Sequence, residues 1–252
     1  MPPGGINFSA IPEKSFWGRV ARLPLRGLPR NMTVPILQGR LRGVKWKVGA
    51  SNHGCWLGSY EHHKRLAFEL SVKEGSVVFD LGANVGFYTL LASVLVGDRG
   101  KVVAFEPLPK NLRYLKSHLQ MNRVTNVTVM EAAVSDADRD CLFDAGPNNS
   151  MGHLSKEGGF RTRVVAIDKL VSRGEVPLPT HMKIDVEGAE WKVLLGGMSV
   201  LVANRPTIFL ATHGKDIHRQ CCELLQSLGY TLEPISGATV DQADEILAYA
   251  RT

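Results

Sequence analysis

The chain has 252 residues, a formal net charge of +6 and 44% hydrophobic content, enough to bury the core of one α/β domain with an extension. No stretch approaches the roughly 18 to 20 apolar residues of a membrane-spanning helix, and Met1-Pro2-Pro3-Gly4-Gly5 lacks the charged and apolar regions of a secretion signal, so a cytoplasmic location is expected. The four cysteines (Cys55, Cys141, Cys221, Cys222) include no C-x-x-C pair, which argues against a zinc site, and no metal is expected.

Positive charge gathers at the start. Residues 1–50 carry nine Lys or Arg against Glu13 alone, and are read as a basic arm and hairpin ahead of a main domain at residues 51–252. Pro12, Pro24 and Pro29 argue against one long helix, and Phe16, Trp17, Val20, Leu23 and Leu25 interleave with the arginines. Packing on its own domain or on a partner subunit, hence a homo-oligomer through the arm, competes with a nucleic-acid grip, a membrane-surface segment and a lid over an anionic substrate. Thr33 to Val48 reads as a hairpin turning at Gly39 and Gly43. A helix through Leu66, Phe68 and Leu70 follows; His62 and His63 point about 100° apart on it and make a poor metal pair.

The most informative stretch is Val77 to Thr89. An apolar run ends at Asp80, turns over Gly82 and Gly86, and leads into Leu90, Leu91, Ala92, Val94 and Leu95: strand, tight turn, helix. In open parallel α/β sheets such turns lie at the ligand crevice, where glycine lets backbone approach a ligand closely. The order Asp80-x-Gly82-x-Asn84-x-Gly86 is not the G-x-G-x-x-G of a dinucleotide site, and no phosphate-binding lysine follows. An acid at the strand end suits a ligand ammonium, which makes S-adenosylmethionine the expected cofactor. Glu106 ends the next strand, Lys101 to Phe105, twenty residues after Gly86, where an acid commonly accepts both ribose hydroxyls.

A helix with Leu112, Leu115 and Leu119 on one face leads to a third strand, Val127 to Met130, and the small residues around Ala133 leave room for a flat base. Cys141 to Phe143 and Arg161 to Ile167 read as short strands around a long polar loop, Asp144 to Ser155, in which His153 is a candidate base. A fourth strand ends in Lys183-Ile184-Asp185-Val186-Glu187-Gly188-Ala189-Glu190, with Trp191, Leu194 and Leu195 expected inside the next helix. So many ionisable groups at a strand end are hard to explain by packing, although Glu187 and Glu190 would also suit a helix's first turn. His213 follows a fifth strand, and a helix to Leu228 precedes two strands, Tyr230 to Glu233 and Glu245 to Ala250, close enough to pair antiparallel.

Gly82-Ala83-Asn84-Val85-Gly86, the acid at Glu106 and the Lys183 to Glu190 phrase together resemble the FkbM family of S-adenosylmethionine-dependent methyltransferases, from about Trp56 to Ala250. The resemblance implies a Rossmann-like, doubly wound seven-stranded sheet, mostly parallel with an antiparallel last strand. It also implies that Asp80, Gly82, Asn84 and Gly86 surround the methionine part of the cofactor, Glu106 the ribose and Ala133 the adenine. Tyr60 and Glu61 look like a family segment closing over it. One departure is Ala211, where family members often carry an acid, so any role of that acid, including metal coordination, does not carry over. The expected reaction is O-methylation of a sugar or small natural product. Asp185, also counted among the cofactor-binding residues, is the first candidate base, then His213 and His153, and Lys183 is a candidate for tuning the acceptor hydroxyl or for pairing with Glu187. The alternatives are an RNA methyltransferase gripping through the arm and a non-catalytic binding protein.

Overall fold

The computed structural model describes residues 27–144, 153–155, 159–237 and 239–250. The arm before residue 27 and the middle of the expected 144–155 loop lie outside them. The hairpin is present as β1 (Thr33–Pro35) and β2 (Lys45–Lys47), paired antiparallel. It is joined to the main core: Trp46 is fully buried and stacks on His118 at 4.0 Å, while Ile36 and Leu41 enter the same apolar cluster as Leu90 and Leu91. His118 links the two parts, with Nε2 accepting from the backbone N–H of Lys47 and Nδ1 2.8 Å from the carbonyl of Val85.

Two helices follow, α1 (His53–Leu57) and α2 (His62–Ser71), and then alternating strands and helices. The first half comprises β3 (Val77–Leu81), α3 (Phe87–Val96), β4 (Lys101–Phe105), α4 (Pro109–Met121) and β5 (Val127–Met130). A second, four-stranded sheet takes β6 (Ala132–Val134), β7 (Arg139–Asp144), β8 (His153–Ser155) and β9 (Phe160–Val165) in the order β6-β9-β7-β8. The expected loop is thus shorter than its sequence suggests, because β7 runs to Asp144 and β8 begins at His153. Then come α5 (Ile167–Ser172), β10 (His181–Ile184), α6 (Glu190–Gly196), α7 (Met198–Ala203), β11 (Thr207–Ala211), α8 (Lys215–Ser227), β12 (Tyr230–Pro234) and β13 (Glu245–Ala250).

The main sheet has seven strands in the order β12-β13-β11-β10-β3-β4-β5, and β13 runs antiparallel to both neighbours. Both faces are covered, so alternate residues feed two separate clusters. Phe79, Leu81, Met182, Ile184, Ile208 and Leu210 pack on one side, Val78, Val102, Ala104 and Phe209 on the other. This explains the near-continuous apolar runs of these strands. The chain enters at β3, winds outward to β5 and returns to β10 on the other flank, so the direction switches between β3 and β10 and their carboxyl ends flank one crevice. Lys183 pairs in register with Asp80, placing two charges side by side where apolar strand residues would otherwise stand.

Val94 and Leu195, expected inside their helices, face outward, and so does Leu70. Leu70 of α2 is 72% exposed, because that helix buries Lys64, Arg65 and Phe68 instead. In α6 the buried residues include Glu190, Val193 and Leu194, whereas Leu195 faces outward.

Candidate active site

A cavity of about 750 Å³ lies at the switch point, within the range of small-molecule sites. Its walls come from both halves of the sheet and from the segment around α1 and α2, which contributes Ser51, Cys55, Tyr60, Glu61 and Lys64.

At one end the β3 turn forms the wall. The backbone N–H groups of Gly82 and Ala83 both donate to the carbonyl of Phe105, and that of Asn84 donates to Glu106 Oε2 at 2.8 Å. The turn is thereby tied to the end of β4. Only glycine fits at position 82: φ is +79°, and a Cβ would stand 1.8 Å from the carbonyl oxygen of Asp185 on the neighbouring strand. Glu106 Oε1 accepts from the N–H of Leu108 at 2.8 Å and from Asn111 Nδ2 at 3.3 Å. Burial outweighs these bonds and raises its pKa to about 7. Oε1 thus already takes two donors, and the remaining lone-pair capacity is mainly that of Oε2. With the small side chains of Ala132 and Ala133 nearby, this end offers a slot for a flat base and an acceptor for vicinal hydroxyls, which fits the nucleoside of S-adenosylmethionine.

Asp80 is placed differently from expectation. It is 1% exposed, accepts from Thr89 Oγ1 at 2.6 Å through Oδ2, and has Lys183 Nζ 3.3 Å from Oδ1. It does not line the cavity, and neither does Gly86, which packs against Leu115. Both therefore shape the turn from behind. Lys183 is also turned towards the turn: its Nζ donates to the carbonyl of Gly82 at 3.0 Å. Burial acts to lower its pKa, but the carboxylates of Asp80 and Asp185 outweigh it, so the amine stays charged.

The other end is a network of charges centred on Asp185. Its Oδ2 lies 3.5 Å from Lys64 Nζ and 3.6 Å from Lys183 Nζ, and its Oδ1 is 3.8 Å from His213 Nε2. Burial pushes the Asp185 carboxyl up, but Lys183, Lys64 and His213 prevail and hold it below its ordinary value. Lys64 also pairs with Glu61 at 2.8 Å and Glu245 at 2.6 Å, joining α2 to β13. His213 Nδ1 lies 2.8 Å from Glu190 Oε1, and Nε2 lies 3.4 Å from Glu187 Oε2. The hydrogen bond to Glu190 raises the His213 pKa, burial opposes it, and Glu187, Glu190 and Asp185 add to it, giving about 9. His213 is therefore an imidazolium at neutral pH, which places Asp185 ahead of it as a proton acceptor. His153 lies on β8 opposite Asp144 of β7, in the second sheet.

Of the expected residues, Tyr60, Glu61, Gly82, Asn84, Glu106, Ala133, Lys183, Asp185 and His213 line the cavity together. Sequence reasoning missed Lys64 and Glu245 and left Glu190 between two roles. Lys64 stands in the run His62-His63-Lys64-Arg65, which reads as solvated. The available signal was its spacing: Lys64 and Phe68 are four apart, on the same face of α2.

Comparison with known proteins bears on the family and the fold. The family model "Methyltransferase FkbM domain" matches residues 80–232, more than half of the chain. Hexuronic acid methyltransferase AglP of Haloferax volcanii is 32% identical over 139 residues, which cover 54% of this chain and 56% of that protein. A protein-L-isoaspartate O-methyltransferase of Methanococcus aeolicus is 26% identical over 116 residues, 42% of this chain and 54% of the relative. The chain thus spans about half the length of these curated relatives. Among solved structures, the methyltransferase FkbM from Methylobacillus flagellatus superposes with a TM-score of 0.52 at 17% identity, covering 79% of this chain and 56% of that one. This likeness supports the fold.

Proposed function

The chain belongs to the FkbM family of S-adenosylmethionine-dependent methyltransferases, and from this we propose that it methylates a hydroxyl of a sugar or small natural product. The observation that carries the reading is that Glu106 and Asp185 line one cavity from opposite sides of the β3 turn. Glu106 and Asn84 would hold the nucleoside, and Tyr60 and Glu61 would cover the cofactor. When bound, the sulfonium supplies an activated methyl group, which needs no further electrophilic activation.

The remaining tasks fall to the protein's own side chains. Asp185 accepts the hydrogen bond of the acceptor hydroxyl and aligns its oxygen for in-line attack, the kind of positioning that lowers a barrier most effectively. Lys64 and Lys183 hold that carboxylate in place from below, and Lys183 at the same time fixes the turn through Gly82. The relative from Haloferax volcanii is named for a hexuronic acid substrate, which favours a saccharide as the acceptor class here. The test is incubation with methyl-labelled S-adenosylmethionine and separate pools of neutral sugars, uronic acids and RNA. A labelled O-methyl group on a saccharide is the expected product; label in RNA alone would overturn the acceptor class. No helix among the described residues is long and apolar enough to cross a membrane.

A further inference from the structure

Three side chains at the acceptor end face one another across a small gap. Asp185 follows β10, Glu187 lies two residues further on, and His213 follows β11; one ligand atom from each lies within 4.8 Å of the others. His213 Nε2 stands 3.4 Å from Glu187 Oε2 and 3.8 Å from Asp185 Oδ1. Neighbouring ligands of an octahedral ion with bonds of about 2.1 Å are roughly 3 Å apart, so each carboxylate would need to close on His213 by under about 1 Å to reach coordination distance from it.

The group behind them points the same way. Glu190 is fully buried, and its Oε1 holds His213 Nδ1 at 2.8 Å, which leaves Nε2 directed at the two carboxylates. A carboxylate on the far nitrogen is the usual support for a metal-bound imidazole. The second oxygen of Glu190 accepts no hydrogen bond among the described residues, so this buried side chain brings negative charge that its surroundings do not fully balance.

Charge in the wider network has the same sign. The ion pairs join Glu61, Asp80, Asp185, Glu187, Glu190 and Glu245 to only Lys64, Lys183 and His213. The lysines serve Glu61, Glu245, Asp80 and Asp185, and among the described residues Glu187 and Glu190 have only His213 as an ion-pair partner. The deficit sits where the three ligand atoms converge. The expectation of no metal site rested on cysteine spacing and on histidines adjacent in sequence, and did not weigh these three residues together.

We propose that Asp185, Glu187 and His213 bind one divalent metal ion of the Mn²⁺ type beside the acceptor, the ion replacing the proton on His213 Nε2, which is released to solvent. One imidazole nitrogen with two carboxylate oxygens and open positions suits Mn²⁺, Fe²⁺ or Zn²⁺ better than an all-oxygen ion such as Ca²⁺. The ion's task, drawing charge from an acceptor hydroxyl so that its proton leaves more easily, rests on the methyl-transfer reading. Its binding does not.

The test is titration of the full chain with Mn²⁺ alone, following the free-ion signal by electron paramagnetic resonance, with pulsed measurement of nitrogen coupling to the bound ion. One Mn²⁺ per chain with coupling from one imidazole nitrogen is expected. His213→Gln should remove the coupling, Glu187→Gln should weaken binding at least about tenfold, and Glu190→Gln should weaken it by about 10- to 100-fold. Retained binding of S-adenosylhomocysteine checks that each variant is folded. An undiminished free Mn²⁺ signal, or bound Mn²⁺ without nitrogen coupling in the unmodified chain, overturns the site. Loss of Mn²⁺ binding with S-adenosylhomocysteine still bound leaves the methyl-donor reading standing, and the converse outcome overturns that reading while keeping the metal.

Discussion

Asp185→Asn is expected to lower kcat about 10²- to 10⁴-fold, the range typical of a positioned proton acceptor, while changing the affinity for S-adenosylhomocysteine only a few-fold. Asparagine has nearly the same shape and can still meet the acceptor, but its amide cannot take a proton and its oxygen carries no full charge. The fold should tolerate the change. Lys64 keeps Glu61 and Glu245 as counterions, and Lys183 keeps Asp80 and the carbonyl of Gly82. Steady-state kinetics together with calorimetry separate the two effects. Unchanged kcat would remove Asp185 from the chemistry, and lost affinity for S-adenosylhomocysteine would place it in the cofactor half instead.

Lys183→Met should act on the fold. Lys183 and Asp80 are both almost wholly buried, with side-chain exposures of 5% and 1%. Removing one member of a buried pair leaves the other's charge without compensation, which typically costs about 3 to 5 kcal/mol. The variant also loses the bond from Nζ to the Gly82 carbonyl, so the turn that walls the cavity loosens along with the sheet. Urea unfolding should register this loss. The double variant Lys183→Met with Asp80→Asn should lose less than Lys183→Met alone, because no unpaired anion remains under the turn. If the single variant is as stable as the unmodified chain, the pair is not holding the switch point together. A purely catalytic Lys183 would give that result with a fall in kcat.

The frame was legible because the central strands, with Lys183 and His181 of β10 as exceptions, present apolar runs that end at a charged or small residue. Asp80, Glu106 and Asp185 mark the carboxyl ends of three such runs, and all seven expected strands of the main sheet form it. The cavity's cofactor end was legible for a similar reason. Turn residues such as Gly82 are dictated by local backbone geometry and by the approach of the next strand, which spacing reveals. The pairing of Lys64 with Glu245 was not legible, since the two meet across 181 residues of sequence, and the spacing of Lys64 to Phe68 marks only the buried face of α2. Asp80 was misplaced for a subtler reason. Its position at a strand end is right, but the parallel register sets it beside Lys183, so its charge faces a lysine inside the sheet.

The central claim is that this cavity holds the methyl donor with Glu106 on its ribose, and calorimetric binding of S-adenosylhomocysteine at pH 6 and pH 8 tests it most directly. Ribose hydroxyls donate to the ionised carboxylate, and burial raises the Glu106 pKa to about 7 in the free protein. Below that value the group must first lose a proton, so affinity should be weaker at pH 6, rise through neutrality and level off above it. In Glu106→Gln binding should be weaker throughout, since a charge-assisted pair contributes about 1.5 to 3 kcal/mol, and the rise with pH should disappear. Failure of the unmodified chain to bind S-adenosylhomocysteine at either pH, or equal affinity in Glu106→Gln, would contradict the account.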